Sequence, residues 1–188
     1  MNALLLAGGR IIDPAPDGYA LLGPLLPGDL SDAILERLAE FSIPIDLGAQ
    51  GLVRRIDDRS RVVAADAMST PALPAVRILS GDEEEITRLA GSSGPDDAMG
   101  TLAARVAREV IMTRGDRGAR IRLRGCERTL EISAAPIQGP AVHPIGLGDT
   151  FLATYGWLRH LGRDPAEAGA RAAMAAARLL ATGIPPSA

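Results

Sequence analysis

Cysteine is nearly absent from this chain of 188 residues, Cys126 being the only one. A single thiol excludes an intrachain disulfide and any cysteine-rich zinc site. Histidine is as scarce, and His143 and His160 stand too far apart in sequence for metal-ligand spacing. An excess of basic charge is missing as well. A net charge of -3 and an isoelectric point near 5.4 leave no basic surface for nucleic acid or anionic lipid. The arginines are dispersed, and two Phe, two Tyr and one Trp are few stacking platforms, so nucleic-acid binding is disfavoured. Long hydrophobic runs are lacking too. Residues 3–7 are apolar, but the run is too short for a signal h-region and no basic residue precedes it. No later stretch approaches membrane-spanning length. The expected compartment is the cytoplasm.

What is present is an alternation of short apolar runs with helical stretches. Residues 19–22, 43–47, 76–79 and 110–113 read as buried strands, each bounded by Gly, Pro or charge. Between them, Leu30, Ile34, Leu38 and Phe41 recur at helical spacing over 30–41, and Met99, Leu102 and Val106 do so over 96–108. Strand, helix, strand in this order implies parallel pairing with right-handed crossovers, since a short hairpin cannot join parallel strands. The fold class is α/β. After Thr113 the pattern switches to period-two runs at 119–123 and 128–132 around Arg124-Gly125-Cys126, an antiparallel hairpin on the sheet edge. Pro136 and Pro140 mark irregular chain, after which Leu152, Tyr155, Leu158 and Leu161 keep one helix face apolar. An Ala-rich helix over 165–181 packs closely on its neighbours. Residues 92–97 read as a polar loop. The length suits one domain, and no repeat or boundary divides residues 1–188.

Gly146-Leu147-Gly148-Asp149-Thr150-Phe151 stands where the Pro-rich segment gives way to the apolar helix. Such a turn leaves unpaired backbone N–H groups at a helix start, where the helix dipole favours an anion. Asp149 would sit beside a bound phosphate, poorly suited to holding it but well suited to accepting a proton from a hydroxyl that attacks phosphorus. The pattern points to phosphoryl transfer, although an ordinary turn with a helix cap accounts for the same residue types. Downstream of the strand at 76–79, Asp82-Glu83-Glu84-Glu85 offers carboxylates at the edge where open parallel sheets bind ligands. They either complement the helix dipole, with Ser80 as cap, or organise magnesium through water beside phosphates. Thr113-Arg114-Gly115-Asp116-Arg117-Gly118 closes the next strand with two glycines, which a turn alone explains.

Gly-x-Gly-Asp-Thr-Phe, followed by an apolar helix and an Ala-rich helix, resembles the C-terminal signature of the PfkB/ribokinase family of carbohydrate kinases. The resemblance runs from about residue 19 to the C-terminus. It implies a ribokinase-like fold, a mostly parallel sheet with helices on both faces and an edge hairpin. It further implies Asp149 as catalytic base and an anion hole formed by the N–H groups of Gly146-Leu147-Gly148 and Asp149. Asp82, Glu85 and Gly91 match the family's Asn-x-x-Glu helix ending in Gly, with Asp in place of Asn, which implies a magnesium site reached through water. Thr113, Gly115 and Gly118 match the Thr-x-Gly-x-x-Gly that lines the ATP site. The implied reactants are magnesium-ATP and a sugar or cyclitol. Leu22-Gly23-Pro24 and Gln50-Gly51 with Arg54 three residues on look like the inositol 3-kinase-like branch, though turn chemistry accounts for both. Met174 suits that branch too, as a core residue rather than an adenine contact.

Two departures stand beside this resemblance. The family's N-terminal segment, which begins the sheet and supplies much of the sugar pocket, has no counterpart here. The fold is therefore expected to be truncated, with an open sheet edge near residues 19–22 that a homo-oligomer or a partner chain covers. His143 stands where the family has an Asp of a monovalent-cation site, so potassium activation is not expected. Two rival readings follow. One is a catalytically inactive kinase-fold remnant or binding subunit. The other is a nucleotidyltransferase, suggested by Leu4-Leu5-Leu6-Ala7-Gly8-Gly9-Arg10 and opposed by the Ile11-Ile12-Asp13-Pro14 that follows.

Overall fold

Apolar runs separated by helices fold as the alternation requires. In the computed structural model, residues 18–26, 28–65, 73–137, 139–142 and 145–184 are described. The order is β1 (Ala20–Leu22), α1 (Asp32–Glu40), β2 (Ile45–Gly48), β3 (Arg54–Ile56), β4 (Val62–Ala64), β5 (Val76–Asp82), α2 (Glu83–Ala90) and α3 (Pro95–Arg105). Then come β6 (Glu109–Thr113), β7 (Ala119–Leu123), β8 (Thr129–Ile132), α4 (Leu147–His160) and α5 (Pro165–Thr182). One sheet runs β1-β2-β5-β6-β7-β8. Its first four strands are parallel and its last two form the antiparallel edge hairpin. A separate hairpin, β3 with β4, was not foreseen; its three-residue strands alternate too little to be read.

The strands are sorted between two helix layers by their pleat. Val110 and Met112 join the core under α1, α2 and α3, with Leu35, Leu38, Ile86, Leu89 and Leu102. Ile111, one residue off, joins the opposite core with Ile78, Ile121, Phe151, Tyr155 and Ala172 beneath α4 and α5. The small residues of α5 bring it very close to the sheet. A Cβ at Gly169 would lie 2.7 Å from Ile132 Cδ1.

Several expectations are corrected at element ends. Residues 106–108 do not continue α3, because the N–H groups of Ala107 and Arg108 donate to Val76 and Arg77 carbonyls at 2.8 and 3.1 Å and draw the chain into the sheet. Phe41 lies at the C-cap of α1 and is exposed, with the Arg37 guanidinium 4.5 Å from its ring centroid, while Leu35 takes the core position. Leu161 is likewise past the end of α4 and exposed, and Phe151 is buried instead. Met174 is 65% exposed and is not core. The polar loop is shorter than expected, since Pro95 starts α3.

β1 is an edge strand, pairing only with β2 among the described residues. Beside it, Tyr19 stacks on Trp157 and His160 with centroids 6.0 and 5.3 Å apart. Among the described residues, no helix is long and apolar enough to cross a membrane.

Candidate active site at the start of helix α4

Gly146 enters α4 in the left-handed conformation, φ 79°, which a side chain would disfavour. The N–H groups of Leu147, Gly148 and Asp149 precede the first intrahelical acceptor, and no side chain caps them. Thr150 N–H is the first to close the helix, onto the Gly146 carbonyl at 2.9 Å. Space above the turn is open, as a Cβ added at Gly148 would meet nothing within 4 Å. Asp149 is exposed at this mouth. Its Oδ1 lies 3.6 Å from where a Cβ would stand on Gly23, so its carboxylate faces the end of β1. Donors, positive dipole end and carboxylate therefore meet at one surface point.

The second wall is the end of β5. Asp82, not Ser80, caps α2: its Oδ1 accepts from Glu85 N–H at 2.8 Å, and Glu85 Oε2 accepts from Asp82 N–H at 3.0 Å. Ser80 is inside the strand and buried. Each carboxylate keeps one oxygen outside this capping box. Burial is the main cause that raises the Glu85 carboxyl above its ordinary range; the Asp82 N–H and the Arg54 charge oppose it, and the Asp82 and Asp149 charges add to the rise. Among the described residues no group of three or more ligating side chains forms. Two carboxylates with a free oxygen each fit a magnesium ion held through water rather than a closed cage.

Thr113 lies beside Asp82 in the sheet register, and its hydroxyl donates to the Gly81 carbonyl at 3.4 Å. Gly115 takes φ 60° in the turn that follows. Gly118 is set by packing, for a Cβ there would stand 2.0 Å from the Ile132 carbonyl oxygen. Arg117 ties this turn to the start of α2 through Glu83 at 2.8 Å. The structure thus gathers Asp149, Asp82, Glu85 and Thr113 at one sheet edge, and turns Gly118 toward β8. His143 and residues 4–10 lie outside the described residues.

Two buried ion networks beneath α4 were missed by the sequence reading. Arg77 on β5 donates to both Asp46 carboxylate oxygens, at 2.8 and 2.5 Å, and to the Gly156 carbonyl in mid-α4 at 3.0 Å. Asp46 is fully buried, which raises its carboxyl against the opposing pull of Arg77. Glu109 on β6 accepts from the Tyr155 hydroxyl and from Arg159, whose outer nitrogen lies at 2.6 Å. The signal was available. A charge in the middle of an apolar strand, as in Ile45-Asp46-Leu47 and Val76-Arg77-Ile78, demands a buried partner.

The sequence matches the profile of the pfkB family carbohydrate kinase over residues 19–184. The chain belongs to the pfkB family of carbohydrate kinases. Its fold is ribokinase-like α/β. A pyrophosphate-dependent kinase of the ribokinase family, complexed with a pyrophosphate analog and myo-inositol, is 19% identical, with a TM-score of 0.74 over 90% of this chain and 59% of the other. A pyrophosphate-dependent myo-inositol-1 kinase converted into a myo-inositol-3 kinase is 19% identical, with a TM-score of 0.77 over 93% and 60% of the two chains. Arabidopsis thaliana ribokinase, complexed with ribose and ATP, is 22% identical, with a TM-score of 0.66 over 87% and 49%. This pfkB chain thus spans about three-fifths of the length of the two pyrophosphate-dependent kinases. No curated protein matches the sequence. The pfkB match takes in the α4 turn, the Asp82 capping box and the Thr113 turn together.

Proposed function

We propose that this pfkB chain transfers a phosphoryl group from a magnesium-bound phosphoanhydride, ATP in our reading, to a hydroxyl of a sugar or cyclitol. The observation that carries the proposal is the convergence of three uncapped N–H groups with the exposed Asp149 carboxylate at the start of α4. In this mechanism Asp149 takes the proton of the acceptor hydroxyl as its oxygen forms a bond to phosphorus. The bond to the leaving phosphoanhydride oxygen breaks with its electron pair on that oxygen. Leu147, Gly148 and Asp149 N–H groups meet the negative charge on the transferring phosphoryl oxygens without reorganising. A magnesium ion bound here would neutralise phosphate charge, and Asp82 and Glu85 are the residues that would hold it through water. Thr113 and Gly115 border the nucleotide, with Gly118 fixing the turn that carries them.

A cyclitol acceptor of the inositol 3-kinase-like branch is supported by the meeting of two turns. Gly51 N–H donates to the Pro24 carbonyl at 2.9 Å, so Leu22-Gly23-Pro24 and Gln50-Gly51 form one surface against Asp149. We read residues 1–188 as one domain, because both apolar layers share a single sheet. A second copy or a partner chain pairs on the β1 edge, which meets only β2 among the described residues. The second reading, a donor-binding subunit without turnover, has in its favour the gathering of Asp82, Glu85 and Thr113 on the donor side of the site.

Transfer of labelled phosphate from ATP and from pyrophosphate to a panel of sugars and cyclitols, with donor binding measured in parallel, separates the two readings. Label on a cyclitol or sugar supports the kinase. Donor binding with no acceptor labelled supports the binding subunit, and absence of both removes the site from phosphate chemistry.

A further inference from the structure

Arg54 follows the Gln50-Gly51 turn and stands beside Glu85 at the edge of the site. It lines a cavity of 380 Å³ with Val53, Val63, Asp82, Glu85 and Arg88, so the cavity opens on the capping box that borders Asp149. The side chain is held from behind. In the orientation that satisfies both groups, the Gln50 amide oxygen accepts from both terminal nitrogens of Arg54, one at 2.8 Å. The Arg54 contact with Glu85 is long, 3.9 Å, and the side chain is 34% exposed. Arg61 and Asp57, by contrast, close to 2.7 Å. A guanidinium carries five N–H donors, so Arg54 keeps donors for a ligand after Gln50 is served.

Its backbone is equally fixed. A Cβ at Gly51 would stand 2.8 Å from Pro24 backbone atoms, so the turn before Arg54 is seated on the loop that touches Asp149. The cavity presents the Arg54 guanidinium beside the Asp82 and Glu85 carboxylates, while its other two charges, Arg88 and Glu84, pair with each other at 2.9 Å. That is the complement of an anion bound together with a cation. Its volume is at the small end of the ~300–1,000 Å³ common for small-molecule pockets, suiting a compact anion more than a whole nucleoside. The sequence contains no lysine, so a side-chain cation for phosphate in this chain is a guanidinium unless a histidine is charged.

We propose that Arg54 is a phosphate-binding residue and that its cavity is a subsite for a magnesium-bound phosphoanhydride. Gln50 presets the guanidinium fork, two phosphate oxygens accept from it, and the metal's waters face Asp82 and Glu85. This rests on the phosphotransferase reading and adds to it the residue that grips the donor away from α4. Pyrophosphate and the polyphosphate of a nucleotide share this chemistry.

The test is calorimetric titration of the full chain with magnesium-pyrophosphate, magnesium-ATP and inorganic phosphate. Wild type, Arg54→Met, Arg54→Lys, Ala64→Trp, which fills the cavity from the β4 side, and Gly148→Ala are compared. At least one phosphoanhydride should bind wild type, and Arg54→Met should weaken it about 10- to 100-fold with the ligand-free melting temperature unchanged. Lysine should restore only part of the affinity, since it lacks the fork. A loss for both donors assigns the shared phosphoanhydride, and a loss confined to one assigns that source. Should Arg54→Met lower the melting temperature, Ala64→Trp carries the same comparison. Unchanged affinity in Arg54→Met and Ala64→Trp, with loss in Gly148→Ala, overturns this inference and leaves the phosphotransferase standing. A wild-type chain that binds neither donor overturns both.

Discussion

Replacing Gly156 by alanine probes the contact that seats α4 on the sheet. A Cβ there would stand 2.1 Å from Asp46 Oδ2 and 3.7 Å from an Arg77 nitrogen. Carbon and oxygen need more than 3 Å, so either α4 lifts by about 1 Å or Asp46 leaves Arg77. Alanine in a helix interior favours folding by about 1 kcal/mol over glycine. Breaking a buried ion pair by displacing one partner costs about 3–5 kcal/mol, because the other charge is left unpaired. The loss outweighs the gain, leaving about 2–4 kcal/mol of destabilisation. For a chain of this size that lowers the melting temperature by about 5–15 °C. Urea and thermal melts followed by circular dichroism measure it. The substitution should become tolerable when Asp46→Leu and Arg77→Met are already present, a coupling that a mutant cycle reads directly. Gly156→Ala as stable as wild type would refute the geometry beneath α4.

Gly148→Ala should behave in the opposite way: with open space around it, the Cβ raises helix stability by up to about 1 kcal/mol, while donor affinity falls because the anion space is invaded. A melt paired with calorimetry shows whether stability and binding part in this manner. Asp164, the N-cap of α5, is held below its ordinary range chiefly by the Glu167 N–H it accepts, with Ala166 N–H adding to it. Its stabilising effect is therefore complete above the ordinary carboxylate range and is lost as pH falls through the lowered folded value. Asp164→Ala should destabilise at pH 7 and not at strongly acid pH, and a melt series over pH checks this. We propose that a second copy or a partner chain covers the free side of β1, which pairs only with β2 among the described residues. Sedimentation should show association, and a monomer at high concentration with β1 amides protected from exchange would contradict it.

Local chemistry made most of the fold legible. Pro, Gly and charge punctuate the four parallel strands and the edge hairpin, and the Asp82 to Gly91 helix shows a capping box at one end and a left-handed glycine at the other. Its ends were harder to read. Helical spacing alone cannot tell where pairing with β5 pulls residues 106–108 out of α3, or that Phe41 falls beyond the last turn of α1. The acid at the α4 turn was visible because Gly-x-Gly-Asp is contiguous. Arg77, Asp46 and Gly156 were not, since their contact joins residues 31 and 79 positions apart. Arg54 entered the sequence reading only through the Gln50-Gly51 match to the inositol 3-kinase-like branch, because the cavity it lines is built by a hairpin too short for periodicity to show.

The central claim is that Asp149 is the base for phosphoryl transfer at the α4 anion hole. Asp149→Asn separates this from a binding role, since it keeps size and removes the proton acceptor. Phosphate transfer to the best sugar or cyclitol acceptor should fall by about 10²–10⁴, while donor affinity measured by calorimetry barely changes. An Asp149→Asn protein that transfers phosphate as fast as wild type would contradict the account.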